Sequence, residues 1–170
     1  MNRLFGKPAT AHRRLYEAIV AAARHPVPYA DWQVPDSLDG RFDMIALHAY
    51  LALDRLKGGN DDFRQALVDE LFADMDRSLR EMGVGDISVG KKVRKMAEVF
   101  YGRIAAYERA LGEGTAALEA AVARNVFADG APAGSAAKLA AYAGEARDTI
   151  AKVPADELLA GRIAFPEPRP

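Results

Sequence analysis

The sequence predicts an all-α protein, a compact single-domain bundle of about six helices with no β-sheet. Three observations lead there. Alanine fills 34 of the 170 positions, a composition that favours helix. Apolar residues recur at helical spacing along most of the chain. No short stretch alternates with a period of two and β-branched enrichment, so no strand is expected. Lys plus Arg number 23 against 24 Asp plus Glu, a net charge of −1, which leaves no global field to attract DNA. The absence of Cys excludes disulfides, thiolate metal sites and cysteine nucleophiles.

Helical periodicity places the first helix over residues 10–24, with Leu15, Tyr16, Ile19, Val20 and Ala23 along one side. Pro26 and Pro28 end it, since proline lacks the amide donor and restricts the residue before it. Residues 25–39 read as a loop with a third proline, Pro35, and with Trp32 near Tyr29. Such an aromatic pair is expected to pin the loop to the body of the domain.

The second helix is predicted to follow Gly40 and run over 41–56. Phe42, Ile45, Leu47, Tyr50 and Leu53 cover most of its circumference, which marks it as central. Gly58, Gly59 and Asn60 end it, and Asp61 and Asp62 favour the positive end of a third helix reaching about Met82. Phe63, Leu67, Leu71, Met75, Leu79 and Met82 form its inner stripe, and the outer side offers the i,i+4 pairs Asp76–Arg80 and Arg77–Glu81. Gly83 suits the left-handed position that closes a helix.

Ser88 reads as the N-cap of a fourth helix. Val89, Val93, Met96, Phe100, Ile104 and Tyr107 share one of its sides, while Lys91, Lys92, Arg94 and Lys95 occupy the other. Gly112 and Gly114 precede a fifth helix over 115–127, and after a loop over 129–134 Ser135 caps a sixth reaching about Lys152. The alanine-rich part, 113–153, gives thin helices that bury little area and are expected to be less stable than the middle of the chain. Three prolines in 165–170 suggest a flexible tail.

Glu17 interrupts the apolar stretch after Arg13 and Arg14, so no secretory leader is expected. The longest apolar run, 44–53, contains His48 and falls short of the ~20 residues that span a bilayer. A cytoplasmic protein is expected, with peripheral contact on the inner face of the membrane left open.

Reactive chemistry is sparse. His12, His25 and His48 form no metal-ligand spacing, and His48 reads as a hydrogen-bonded core residue, with a haem or metal-handling role as the alternative. Asp74 and Asp76 project about 200° apart on a helix and cannot grip one ion. The turn Gly83-Val84-Gly85-Asp86 follows no strand and lacks a Walker lysine. No catalytic constellation, cofactor or metal is predicted. Arg41, Asp43, Arg80 and Asp86 are expected to pair with one another, and Arg41, Asp43, His48 and Arg80 to form a polar structural core. The four cations of the fourth helix read either as a solvated face or as a dock for an anionic partner. Met44, Met75, Met82 and Met96 either fill the core or supply an adaptable binding surface.

Two blocks carry a family resemblance. One is Val34-Pro35-Asp36-Ser37-Leu38-Asp39-Gly40-Arg41-Phe42-Asp43-Met44 followed by Leu47-His48-Ala49-Tyr50-Leu51. The other is Asp74-Met75-Asp76-Arg77-Ser78-Leu79-Arg80-Glu81-Met82-Gly83-Val84-Gly85-Asp86, then Val89-Gly90-Lys91-Lys92 and Phe100-Tyr101-Gly102-Arg103. Over roughly 15–111 the chain resembles the ubiquinol–cytochrome c chaperone family. The resemblance implies a non-enzymatic assembly chaperone that acts on newly made cytochrome b, or another membrane-complex subunit, of complex III. Mitochondrial members work with a small helper protein and at the ribosome. Without their long N-terminal extension, this chain looks like a bacterial member. The docking surface is expected at Gly83, Val84, Gly85 and Asp86 with Lys91, Lys92, Arg94 and Lys95, where the glycine-rich segment of the second block meets the local positive charge. A helical scaffold for a soluble partner is the competing reading.

Overall fold

A computed structural model describes residues 9–128 and 130–170. The leader question over residues 1–8, and Asp129 at one end of the predicted loop, lie outside those residues. Among the described residues all regular structure is helical, in eight segments. Six are the predicted helices: α1 (Ala11–Ala23), α3 (Leu38–Arg55), α4 (Asp61–Glu81), α5 (Asp86–Glu113), α6 (Thr115–Val126) and α7 (Ser135–Ala151). Two five-residue turns, α2 (Pro26–Ala30) and α8 (Ala155–Leu159), complete the set.

Every residue of α3 from Phe42 to Leu53 is buried, so the helix that reads as apolar all round is indeed the central one. It packs against α1, α5, α6 and α7, while α4 closes one side against α1 and α5. The Tyr16 hydroxyl donates to Asp74 at 2.8 Å and ties α1 to α4. Ala136, Ala140, Ala143 and Ala146 share the buried face of α7 with Leu139, Tyr142 and Ile150, and the small alanine side chains let it lie close to α3 and α6.

Local differences from the sequence reading have local causes. The loop over 25–39 contains α2 because Pro26 at its first position needs no amide partner and the His25 ring accepts from the Val27 amide. Helix α3 starts before Gly40, since Ser37 Oγ accepts from the Gly40 amide at 3.1 Å and caps it. Ser88 is not a cap. Gly85 fills that position, and Asp86 sits in the first turn, where its charge suits the helix dipole. Gly134, at φ +80°, likewise displaces Ser135 into the helix, where it is buried. Gly83 adopts φ +86°, and the amides of Gly83 and Val84 donate to the carbonyls of Arg80 and Leu79, a Schellman closure.

The segment after α8 is docked, not frayed. Trp32 is buried, and its indole N–H donates to the Arg169 carbonyl at 3.0 Å. Phe165 sets its ring edge-on to His48 with centroids 5.0 Å apart. Arg169 pairs with Glu145 at 3.1 Å. Prolines restrict the unfolded tail as well as the folded one, so they lower the entropy lost on docking. Tail-like composition alone does not reveal that effect.

Candidate functional site

His48 lies at the centre of the bundle with no solvent exposure. Its Nδ1 is 2.8 Å from the Met44 carbonyl, which can only accept, so Nδ1 carries the proton. Nε2 therefore accepts from the Tyr142 hydroxyl at 2.9 Å. Burial pushes the imidazole down to about 4 and keeps it neutral. Both ring nitrogens are engaged, which leaves no lone pair for haem iron or another metal. Among the described residues no three His, Asp or Glu side chains gather as a metal site.

The four predicted partners Arg41, Asp43, Arg80 and Asp86 do not form one buried cluster. Arg41 is exposed and pairs with Asp36 at 2.6 Å. Arg80 is exposed as well, held by Asp76 at 2.6 Å and by Asp86 across the α4–α5 turn. Arg77 pairs with Asp74 instead of Glu81. Both arginines sit at helix ends, where their long side chains reach water. Arg41→Ala and Arg80→Ala are therefore expected to leave the denaturant midpoint close to that of the parent protein, as urea titration would report.

Asp43 alone of the four is buried, and its partner is Arg103 of α5, with Oδ1 2.6 Å from Nη2. The same nitrogen donates to the Asn125 carbonyl at 2.9 Å near the end of α6. One guanidinium thus joins α3, α5 and α6. Burial outweighs the pull of Arg103 and drives the Asp43 carboxyl up to about 7. Tyr107, fully buried, lies in the same field, and its hydroxyl is raised above its ordinary range by burial and then by Asp43. Sequence reasoning missed Arg103 as Asp43's partner, although both stand in the family-like blocks, because pairing across three helices leaves no local spacing.

This polar joint backs a cleft of about 570 Å³ between the start of α3, the first half of α5 and the end of α6. Phe42, Leu79, Met96, Val99, Val126 and Phe127 supply its apolar lining, and Lys92, Lys95 and Arg124 reach its mouth from exposed positions. Leu38, about half exposed, stands beside them.

Lys91, Lys92, Arg94 and Lys95 are all exposed on α5. Among the described residues only Lys95 of the four has a carboxylate partner, Glu98 at 3.1 Å. The adjoining turn carries Ile87 at 90% and Met82 at 56% exposure. Ile87 stands about 200° round the helix from buried Val89, on the polar side, and that misplaced isoleucine is the signal by which sequence alone could have marked the turn. Of the four methionines singled out in the sequence, Met44 and Met75 are core, Met96 lines the cleft and Met82 is at the surface.

Residues 30–165 match the model of a family described as ubiquinol-cytochrome C chaperone. The chain belongs to that family. This membership sets the protein among chaperones and not among enzymes, and the family resemblance seen in the sequence now extends through the alanine-rich part. The chaperone is similar to the crystal structure of the Cbp3 homolog from Brucella abortus, with 43% identity and a TM-score of 0.82. That likeness covers 92% of this chain and 89% of the Brucella chain. It is also similar to ubiquinol-cytochrome-c reductase complex assembly factor 1 of Xenopus laevis, at 25% identity over 117 residues. Those residues are 67% of this chaperone, which spans 58% of the frog protein. Among the described residues no helix is long and apolar enough to cross a membrane.

Proposed function

We propose that this chaperone binds newly made cytochrome b of the ubiquinol–cytochrome c reductase complex and assists its assembly. The supporting observation is the union, at one end of the bundle, of exposed apolar side chains with a row of cations. Met82 and Ile87 offer contact area to an apolar helix, and Lys91, Lys92, Arg94 and Lys95 stand beside them to meet acidic loops or lipid phosphates. The turn between, Gly83-Val84-Gly85-Asp86, keeps the two groups close. Work of this kind is adhesion followed by release, and it requires no reacting group. A small helper protein, the ribosome and peripheral membrane contact belong to the same proposal as accessory partners.

The test is capture from detergent-solubilised membranes by the tagged chaperone. Reversing Lys91, Lys92, Arg94 and Lys95 to Glu together is expected to cut recovery of cytochrome b about tenfold or more. The melting temperature should stay within about 3 °C, because these side chains are exposed. Undiminished capture by the folded variant removes the docking surface from the account. Recovery of soluble proteins alone by the unaltered chaperone favours the scaffold reading.

A further inference from the structure

The cleft between α3, α5 and α6 has a chemistry of its own. Its volume, about 570 Å³, lies within the ~300–1,000 Å³ common for small-molecule sites. Its interior is apolar: Phe42, Leu79, Val126 and Phe127 are buried, and Met96 and Val99 are partly so. Its mouth is basic. Lys92, Lys95 and Arg124 stand there against a single exposed carboxylate, Asp39, while Asp43 is already paired with Arg103. Glu98 offsets part of the Lys95 charge.

Unused hydrogen-bonding capacity gathers in the same place. Arg103 Nε and Asn125 Nδ2 are buried donors without a partner, and both residues line the cleft. Buried donors without acceptors are costly, and the oxygens of a carboxylate or phosphate would supply what they lack after a small rotation. Asp43 Oδ1 and the Tyr107 hydroxyl are also without a hydrogen bond; Asp43 Oδ1 faces the Arg103 charge, and the Tyr107 hydroxyl lies beside the Asn125 side chain, away from the cleft lining.

We propose that this cleft binds a small anionic amphiphile, with its apolar body against Phe42, Leu79, Met96 and Val99 and its carboxylate or phosphate held by Lys92, Arg124 and Arg103. The proposal is independent of the docking reading, although Lys92 serves both. An apolar ligand without charge leaves the mouth cations and the two donors unmatched, and a cation is repelled by them. A bare anion leaves the apolar interior wet.

The probe is dodecyl phosphate below its micelle concentration, titrated calorimetrically into the full chain. Saturable one-to-one binding is expected, with dodecyltrimethylammonium and inorganic phosphate each weaker by more than about tenfold. Val99→Trp fills the interior and should abolish binding. Lys92→Glu with Arg124→Glu, both at exposed positions, should weaken it about tenfold or more and carries the test if the Trp variant melts early. Lys152→Glu, exposed and outside both the cleft and the docking surface, should leave it unchanged. Equal affinity for the cationic detergent or for inorganic phosphate, or full binding by the folded Val99→Trp variant, overturns the proposal. A further arm uses anionic phosphatidylglycerol vesicles. Adsorption to them that survives Val99→Trp, without saturable binding of dodecyl phosphate, assigns the cations to a lipid surface and also overturns it. Cytochrome b capture by Val99→Trp separates failure here from failure of the docking surface.

Discussion

Arg103→Ala is expected to destabilise the fold by about 3–5 kcal/mol at pH 8, the cost of leaving a buried charge without its partner. The Asp43 carboxylate is almost wholly buried, and Arg103 is four-fifths buried beside it. The change also removes the hydrogen bond that anchors the Asn125 carbonyl at the end of α6. A pH dependence distinguishes this mechanism from simple loss of packing. In the unaltered protein the Asp43 carboxyl is pushed up to about 7 when folded and returns to its ordinary value of 3.8 when unfolded. The folded state therefore holds more protons between those values, and this group's contribution to stability falls as pH rises through that window. Without Arg103 the folded carboxyl titrates higher still, so the decline continues above pH 7. The gap between variant and parent should widen from pH 6 to pH 9, measured by urea unfolding. A constant gap below about 0.5 kcal/mol would make Arg103 a surface residue and dissolve the joint.

Gly40→Ala should be comparably damaging, against the ordinary preference for alanine in helices. A Cβ at position 40 would lie 1.9 Å from the Pro35 carbonyl oxygen and 2.9 Å from its carbon. Those atoms are backbone and cannot swing aside, so the 35–37 segment must shift and the Ser37 cap goes with it. Alanine's propensity returns only about 1 kcal/mol, whereas overpacking of this severity costs about 3 kcal/mol or more. Gly90, in α5, has nothing within 4 Å of its would-be Cβ. Gly90→Ala is accordingly the control, expected to hold or raise the melting temperature. A Gly40→Ala protein that melts with the parent would show that the loop yields and that the contact does not govern the start of α3.

Periodicity carried most of the fold because these helices bury continuous faces. The all-apolar stretch of α3, the stripe Leu67-Leu71-Met75-Leu79 and the glycine at 83 each act through neighbours three or four residues away, which a single sequence displays. Helix starts were less legible, since Gly85 and Gly134 took positions that Ser88 and Ser135 were equally suited to fill. The tail was misread because its order rests on Trp32 and His48, residues remote in the chain. The site divides the same way. A row of four cations on one helix is visible as a string, but the union of Asp43, Arg103 and Asn125 exists only after α3, α5 and α6 assemble. Arg41 and Arg80 looked equally suited to a buried pair, and only solvent access separates them from Arg103.

The central claim is that adhesion by this chaperone serves the assembly of the ubiquinol–cytochrome c reductase complex. Reduced-minus-oxidised spectra of membranes from a strain lacking the gene test it most directly. The account predicts loss of the b-type signal together with the complex's c-type signal, restored by the unaltered gene and not by the Lys91, Lys92, Arg94 and Lys95 charge-reversal variant. Normal b- and c-type signals in the deletion strain, with full ubiquinol oxidation, would contradict it.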